Sequence, residues 1–362
     1  MRLLSLELRN FRNHRDAKTA LDGRNTLLLG ENGSGKTNWI EAAVLLSLGR
    51  SFRGSRDREI VQKGADAFEV RGVVSGRGGL TRELVARGSM NGTREVVVDG
   101  EALPRLTDLL GRFPTVHFSV EDVSVFGGGP AARRRFLDMA LCQLEPATVA
   151  SLRDYAAALK QRNRLLIESG RGPTDEDEIG IWEAILARAG LDLDRRRESL
   201  TKELHRRLRE LAATVDESLA PLLDYVGTEQ ATVEERAERL SSMRGRDRRL
   251  GWTSEGPHRA RLVCRIAGRE LTEGASRGYS RLYSILLRLA LARVLDERLQ
   301  EPPVVLLDDP ESELDARWIG AILALIPEGS QAIVTACRPL SAMPERYEAV
   351  SMDSIALAGT AA

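Results

Sequence analysis

The sequence predicts an α/β fold in which a nucleotide-binding core is assembled from both ends of the chain. Residues 26–29 form a short apolar run that leads into a glycine-rich turn and then a helical pattern. Residues 304–307 form a second apolar run, which ends in two acids. Between the two, residues 67–98 alternate as strands do, and helical periodicity dominates residues 130–245. We therefore predict an antiparallel β lobe and an inserted α-helical arm beside the core.

The turn after the first apolar run reads G-x-x-x-x-G-K-T, the pattern of a phosphate-binding loop. Its glycines let successive backbone N–H groups point at one phosphate chain, and the following helix adds the positive end of its dipole. Lys36 would reach the β- and γ-phosphates, and the Thr37 hydroxyl would hold Mg²⁺. A chance glycine-rich turn is the alternative, which the strand before and the helix after disfavour. The predicted nucleotide contacts are Gly30, Glu31, Asn32, Gly33, Ser34, Gly35, Lys36 and Thr37.

The acid pair after the second apolar run supplies the other half of the predicted site. A buried strand that ends in a carboxylate beside a phosphate loop is how ATPases of this kind hold Mg²⁺. We assign Asp308 to the metal, through water, and Asp309 to the base that orients or deprotonates the attacking water. The alternative is an acid pair satisfied by the N–H groups of the next helix. A whole helical arm separates Lys36 from Asp308, unlike the shorter spacing of small kinases and GTPases.

A third candidate segment, residues 274–281, is polar and contains glycine, and it precedes an apolar helix predicted over residues 282–299. The Ser276 hydroxyl and the neighbouring N–H groups could bind a γ-phosphate at the start of this helix. An ordinary capped helix start is the alternative.

Composition limits the remaining functional classes. The net charge is zero, so any nucleic-acid contact must come from a local patch, and 4% aromatic residues disfavour broad base-stacking platforms. Three widely spaced cysteines argue against a disulfide framework or a zinc ribbon and suit a reducing cytosol. The N-terminus alternates like a strand rather than a signal peptide, and no apolar run approaches the length of a membrane span. We expect a cytoplasmic protein without a membrane partner.

Two further patterns have both a structural and a functional interpretation. Arginines recur in residues 50–58 and along the arm, where they are either phosphate contacts or solvated faces, and we favour solvated faces. Within the arm, a long helix is predicted over residues 179–219. Its apolar residues recur at steps of three and four, which favours a helix–helix core over a partner surface: Leu200, Leu204, Leu208, Leu211, Val215 and Leu219.

Four segments together resemble a known group of proteins. They are LRNFRNH, the loop GENGSGKTN, the signature-like SRGYSR and the stretch VVLLDDPESELD. These resemble the ABC-type P-loop ATPase heads of the SMC group. Within that group the chain is similar to the RecF family of bacterial DNA replication and repair proteins, to which FSVEDVSVFGGGPAARRRFLD, LKQRN and GPHR also correspond.

The resemblance implies a mechanism that the spacing of the motifs alone does not predict. Two heads would sandwich two ATP molecules with Mg²⁺, so that Ser276 and Gly278 of one subunit act on ATP held by the loop and acid pair of the other. ATP would drive homodimerisation on double-stranded, gapped or junction DNA, and weak, DNA-stimulated hydrolysis would release it. Family members act with RecO and RecR to load the RecA recombinase and support the SOS response.

We expect three parts in the chain: residues 1–126 as the N-terminal part of the head, 127–248 as the helical arm, and 249–362 as its C-terminal part. Some positions depart from ABC heads in general. Asp309 stands where a glutamate is usual, as expected in RecF, and its shorter side chain suggests slow hydrolysis. The switch histidine is absent, and Glu121 stands near the place where a Q-loop glutamine is expected.

Three other functions remain open at this point. The ATPase subunit of a membrane transporter would need a fuller L-S-G-G-Q segment and the switch histidine. A small-molecule kinase would need a lid and an acceptor site, which the helical arm does not obviously provide. ATP could also act only as an assembly switch with negligible turnover.

Overall fold

The computed structural model describes residues 1–54, 56–119, 124–169, 176–273, 277–312, 316–340 and 343–355. The predicted Q-loop position, Glu121, lies outside these ranges. The first third of the chain contains eight strands and two helices: β1 (Arg2–Phe11), β2 (His14–Ala20), β3 (Asn25–Leu29), α1 (Lys36–Leu48), α2 (Asp57–Ile60), β4 (Ala67–Ser75), β5 (Thr81–Ser89), β6 (Arg94–Val98), β7 (Glu101–Ala102) and β8 (Thr115–Phe118).

The middle of the chain is mainly helical: α3 (Ser124–Gly127), α4 (Pro130–Leu144), α5 (Thr148–Glu168), α6 (Glu176–Val215), β9 (Leu222–Val226), α7 (Val233–Ser242) and α8 (Arg244–Leu250). The last part alternates between strands and helices: β10 (Arg261–Ile266), β11 (Arg269–Glu270), α9 (Arg277–Leu299), β12 (Val304–Asp308), α10 (Ala316–Leu325), β13 (Ala332–Ala336), β14 (Tyr347–Ser351) and α11 (Met352–Ile355). None of the described helices is long and apolar enough to cross a membrane.

A five-stranded parallel sheet in the order β14-β3-β13-β12-β8 forms the centre of the molecule. Its inner strands β12 and β13 are buried on both faces. Val304 and Leu306 belong to the apolar core around α1, whereas Val305 and Leu307 belong to the core that contains the buried side chains of α6, α9 and α10. A strand covered on both sides needs an apolar residue at every position, which explains its uninterrupted apolar sequence. The fold-class prediction, with strands from both chain ends in one core, is confirmed.

A six-stranded antiparallel sheet in the order β2-β1-β4-β5-β6-β7 forms the predicted β lobe. The β6–β7 turn has Asp99 at φ 52° and Gly100 at φ 85°, both in the left-handed region that a two-residue hairpin turn of this kind requires. Strand β2 was not expected, because its burial alternates irregularly and its sequence, HRDAKTA, is mostly polar. It folds back on β1 through a tight turn that pairs Phe11 with His14.

The two sheets are joined by one buried amide, Gln331, which precedes β13. Its Oε1 accepts a hydrogen bond from the Leu3 N–H at 2.6 Å, and its Nε2 donates to the Leu3 carbonyl at 2.9 Å. The side chain therefore pairs with β1 as a neighbouring strand would. The N-terminal strand is thereby fixed to the C-terminal half of the parallel sheet.

The helical arm shares its interior with the head. Along α6, a helix about 60 Å long, the predicted apolar stripe is buried in the core that also contains α9. The prediction of a helix–helix core is therefore confirmed, although the helix ends at Val215 rather than at residue 219. Strand β9 pairs with β10 across the predicted boundary between residues 248 and 249, and the division into three parts stays a prediction.

Two boundaries in the last part differ from expectation. Strand β14 was not expected from the sequence; it follows β13 and pairs in parallel with β3. As an edge strand it is largely exposed and lacks an apolar run. Helix α9 begins at Arg277, earlier than the expected residue 282, because its first turn is polar.

The LKQRN segment has a structural role in the arm. Arg162, on α5, is fully buried and donates to Glu183 on α6 at 3.1 Å, to Asp247 on α8 at 2.7 Å and to the Thr253 hydroxyl at 2.9 Å. Asn163 accepts hydrogen bonds from the backbone and hydroxyl of Thr253. The Arg162 guanidinium also donates to the Leu240 carbonyl on α7 at 2.9 Å, so four helices and the loop after α8 meet there.

The GPHR segment is anchored to the same region. His258 Nε2 lies 2.9 Å from the Thr253 carbonyl, which can only accept, so this nitrogen carries the proton. Nδ1 then accepts from the Tyr155 hydroxyl at 2.6 Å. Burial lowers the pKa of His258, which favours this neutral form. Arg197 donates to the Pro257 carbonyl at 2.8 Å, so the segment is held from two helices.

Replacing Arg162 with methionine should lower the free energy of unfolding by about 3–5 kcal/mol, because Glu183 and Asp247 stay buried after losing this cation. The matched control is Arg164→Met on the same helix, whose guanidinium is 54% exposed. Its loss should cost about 1 kcal/mol or less. Urea unfolding followed by circular dichroism compares the two variants, and equal losses would contradict the central role of Arg162.

Candidate nucleotide-binding site

The phosphate-loop sequence lies between β3 and α1, at the carboxyl end of a central strand of the parallel sheet. Gly33 and Gly35 have φ values of 85° and 97°, which L side chains rarely adopt. A Cβ atom on Gly35 would also lie 2.4 Å from the imidazole of His14. The backbone conformation of the loop therefore agrees with the phosphate-binding loop that the G-x-x-x-x-G-K-T pattern predicts.

The Lys36 side chain folds back over this loop. Its ammonium donates to the carbonyls of Gly30 at 2.6 Å and Glu31 at 2.9 Å, and the residue is 7% exposed. The thiol of Cys337 lies 3.6 Å away and donates to the Asn32 side chain. The loop therefore holds a fixed positive charge at its centre.

The acid after β12 reaches the start of α1. Asp308 Oδ1 accepts a hydrogen bond from the Thr37 hydroxyl at 3.0 Å and another from the Thr335 hydroxyl at 2.7 Å. The carboxyl is 3% exposed, and this burial raises its pKa, against the opposing effect of the two hydroxyl donors and the Arg53 charge. The structure thus brings the two predicted metal ligands, Thr37 and Asp308, into direct contact.

Asp309 follows in a left-handed backbone conformation with φ 45°. Its N–H donates to the Thr335 hydroxyl at 2.9 Å, and its carbonyl accepts from Ser312. Thr335 therefore bonds to both members of the acid pair. Sequence reasoning did not assign it to the site, although a hydroxyl inside the buried strand AIVTA was the available signal.

The signature segment is only partly described. Ser276, the predicted γ-phosphate contact, lies outside the described residues. Gly278 lies exposed in the first turn of α9. The roles assigned to both remain predictions.

The LRNFRNH segment supports the phosphate loop from outside. Asn13 Oδ1 accepts from the side chain of Asn38, in the first turn of α1, at 2.7 Å. His14 Nε2 lies 3.3 Å from the Gly35 carbonyl, and burial lowers the pKa of this histidine. Sequence reasoning used the segment only as a sign of resemblance and missed these contacts.

One of the arginines in residues 50–58, Arg53, pairs with a buried glutamate on α1. Glu41 is fully buried and accepts hydrogen bonds from Arg12 at 2.6 and 2.9 Å, from Arg53 at 3.2 Å and from the Ser51 hydroxyl at 2.5 Å. Arg53 also donates to Asn38 at 3.0 Å. It is thus an ion-pair partner in the interior, and the expectation of a solvated side chain is wrong for Arg53.

The parallel core with its phosphate loop and acid pair, the antiparallel lobe and the helical arm together define an ABC-type ATPase head. The family described as RecF/RecN/SMC N-terminal domain matches residues 2–353. The chain belongs to this family, and within it to the RecF proteins, as the individual relatives show.

Two relatives named DNA replication and repair protein RecF illustrate the similarity. That of Anaeromyxobacter dehalogenans (strain 2CP-C) is 38% identical over 351 residues, with 92% of each chain covered. That of Synechococcus sp. (strain JA-2-3B'a(2-13)) is 35% identical over 346 residues, with 92% of this chain and 91% of the relative covered. A solved structure described as the recombination mediator protein RecF–ATP in the RecFOR pathway superposes with a TM-score of 0.87 at 29% identity, covering 95% of this chain and 94% of that chain.

Asp308→Asn should stabilise the chain at neutral pH when neither nucleotide nor Mg²⁺ is present. A carboxyl whose folded-state pKa is raised contributes stability below its ordinary pKa of about 3.9 and loses it as the pH rises through the raised value. The asparagine does not titrate, so the gain in melting temperature over the unchanged chain should be larger at pH 7.5 than at pH 4. Asp16→Asn, on the exposed face of β2, is the control and should change little at either pH. A melting difference independent of pH would contradict the burial argument.

Proposed function

We propose that this chain is an ATP-dependent DNA-binding ATPase of recombinational repair and replication restart, located in the cytoplasm. The observation that carries the proposal is the contact between Thr37 at the phosphate loop and Asp308 at the end of β12. This contact joins a carboxylate to a hydroxyl, the oxygen ligands that Mg²⁺ prefers, and the hydroxyl residue directly follows the phosphate-loop residue Lys36. The similarity to RecF proteins, one of them solved as RecF–ATP, supports the same function.

ATP would be held by the loop residues 30–37, with Mg²⁺ on Thr37 and Asp308. When bound, Mg²⁺ neutralises charge on the β- and γ-phosphate oxygens. Lys36 supplies a positive charge that the loop carbonyls already hold in place, so little reorganisation is needed when phosphate arrives. Asp309 would orient the attacking water, and its short side chain fits a slow ATPase.

We further propose that the site is completed by a second copy of the chain, through Ser276 and Gly278 at the start of α9. ATP would then drive homodimerisation on double-stranded, gapped or junction DNA, and hydrolysis would release the dimer. The helical arm, residues 127–248, would form the second lobe of the head. Following the RecFOR assignment of the relative, RecO and RecR would be partners in loading RecA and supporting the SOS response.

Lys36→Arg should bind ATP and dimerise but hydrolyse ATP more slowly by on the order of 10- to 100-fold, because the bulkier guanidinium displaces the charge from its fixed place. Ser276→Arg should bind ATP but fail to dimerise. Light scattering with and without ATP measures dimerisation, and a phosphate-release assay measures hydrolysis. Lys63→Arg, at an exposed position, is the control. Normal ATP-dependent dimerisation of Ser276→Arg would rule out the trans site.

Duplex DNA that contains a gap should increase the ATPase rate of the unchanged chain and of Lys63→Arg alike. The measurement is steady-state phosphate release at fixed ATP, with and without DNA, at low salt because phosphate contacts weaken with salt. No stimulation together with ATP-dependent dimerisation would favour the assembly switch. Phosphorylation of a small acceptor would favour a kinase instead.

A further inference from the structure

A cavity of about 390 Å³ lies at the opposite end of α1 from the phosphate loop. Its walls are the loop of residues 50–54 that follows α1, the edge strand β8, and one face each of α4 and α9. Its volume is in the range of small-ligand pockets, about 300–1,000 Å³. None of the phosphate-loop residues 30–37 lines this cavity, so it is a different site.

The charge of the cavity is positive. Its described lining residues include Arg50, Arg135 and Arg288 and no aspartate or glutamate. Arg288 is engaged with the protein, because its Nε donates to the His117 carbonyl at 2.7 Å. Both Arg50 and Arg135 are exposed, and no ion pair is found for either in the described part of the chain. The charge of Asp138 acts on Arg50 from a greater distance. Partial burial and the nearby charge of Arg135 lower the pKa of Arg50, as expected for two like charges that share a cavity.

The remaining walls suit a flat ring. The ring of Phe52 lies 5.3 Å from that of His117 at an interplanar angle of 31°, and Phe136 comes from α4. Three alanines of α4, at positions 131, 132 and 140, also line the cavity, and their small side chains take up little of its volume. Aromatic side chains stack on nucleobases with little regard to base identity.

The loop that carries Arg50 and Phe52 is held before any ligand arrives. Ser51 donates to the buried carboxylate of Glu41, and the N–H of Arg53 donates to the Ser51 hydroxyl at 3.1 Å. A loop fixed in this way loses little conformational freedom on binding, which favours affinity. Glu41 is the same α1 residue that pairs with Arg12 and Arg53.

We propose that this cavity binds a nucleoside monophosphate, with its phosphate between Arg50 and Arg135 and its base against Phe52 and Phe136. Two guanidinium groups match the charge of one dianionic phosphate and can donate paired hydrogen bonds to its oxygens. The cavity lacks a glycine loop to follow a longer phosphate chain, so a monophosphate fits better than a triphosphate. The proposal does not depend on the ATPase function argued above.

AMP is the probe for a calorimetric titration of the full-length chain, with the phosphate loop saturated by ATPγS and Mg²⁺ and, separately, in a Lys36→Ala background. We expect one AMP bound per chain under both conditions. Arg50→Gln and Arg135→Gln should each weaken AMP binding about tenfold or more, through the loss of a charge-assisted hydrogen bond. Arg153→Gln, on the exposed face of α5, is the matched control and should bind AMP normally.

Ala132→Leu provides a second variant that keeps every charge, and its larger side chain should block AMP binding by filling the cavity. Absence of AMP binding, or equal binding in all variants, would overturn the proposal. Inorganic phosphate or adenosine binding as tightly as AMP would overturn the nucleotide assignment. ATPγS affinity, measured in the same variants, should stay unchanged. Loss of ATPγS binding by the unchanged chain would count against the ATPase and not against this cavity.

Discussion

The candidate site depends on how one buried carboxylate is kept in place. Asp308 is almost fully buried, and its charge is opposed by desolvation. Two threonine hydroxyls compensate by donating to the same oxygen, one from the start of α1 and one from β13. The parallel register pairs Asp308 with Thr335, so sheet formation itself delivers one of the two donors. Without that register the buried acid would keep only the Thr37 donor.

Two other buried charges in the molecule are also surrounded by hydrogen-bonding partners. Glu41 under the phosphate loop is buried with two arginines and a serine around it, and Arg162 in the arm is buried with two acids and a threonine. Each of these charges joins segments that are far apart in sequence. Removing one partner from such a cluster leaves an uncompensated buried charge, so they fix the relative positions of helices more than they add stability.

The parts that sequence could predict are those with a local physical cause. The phosphate loop was predicted because glycine is the residue that most readily adopts the positive φ found at Gly33 and Gly35. Strand β12 was predicted because burial on both faces demands an unbroken apolar run. Edge strands β2 and β14 are not covered on both faces and have no unbroken apolar run, and both were missed. Asn13 and His14 were recognised only as a motif, because their partners on α1 lie more than 20 positions away.

The sequence by itself determined the α/β class, the loop that can hold phosphate and the acids that can hold a metal, since each rests on residue type and short-range spacing. Only the tertiary structure decided that Thr335 bonds to both acids, that Arg53 pairs with a buried glutamate, and that Arg50 and Arg135 line one cavity. The reason is that hydrogen bonding and charge compensation depend on which side chains meet in space. That is set by strand order and helix packing, which local periodicity does not encode.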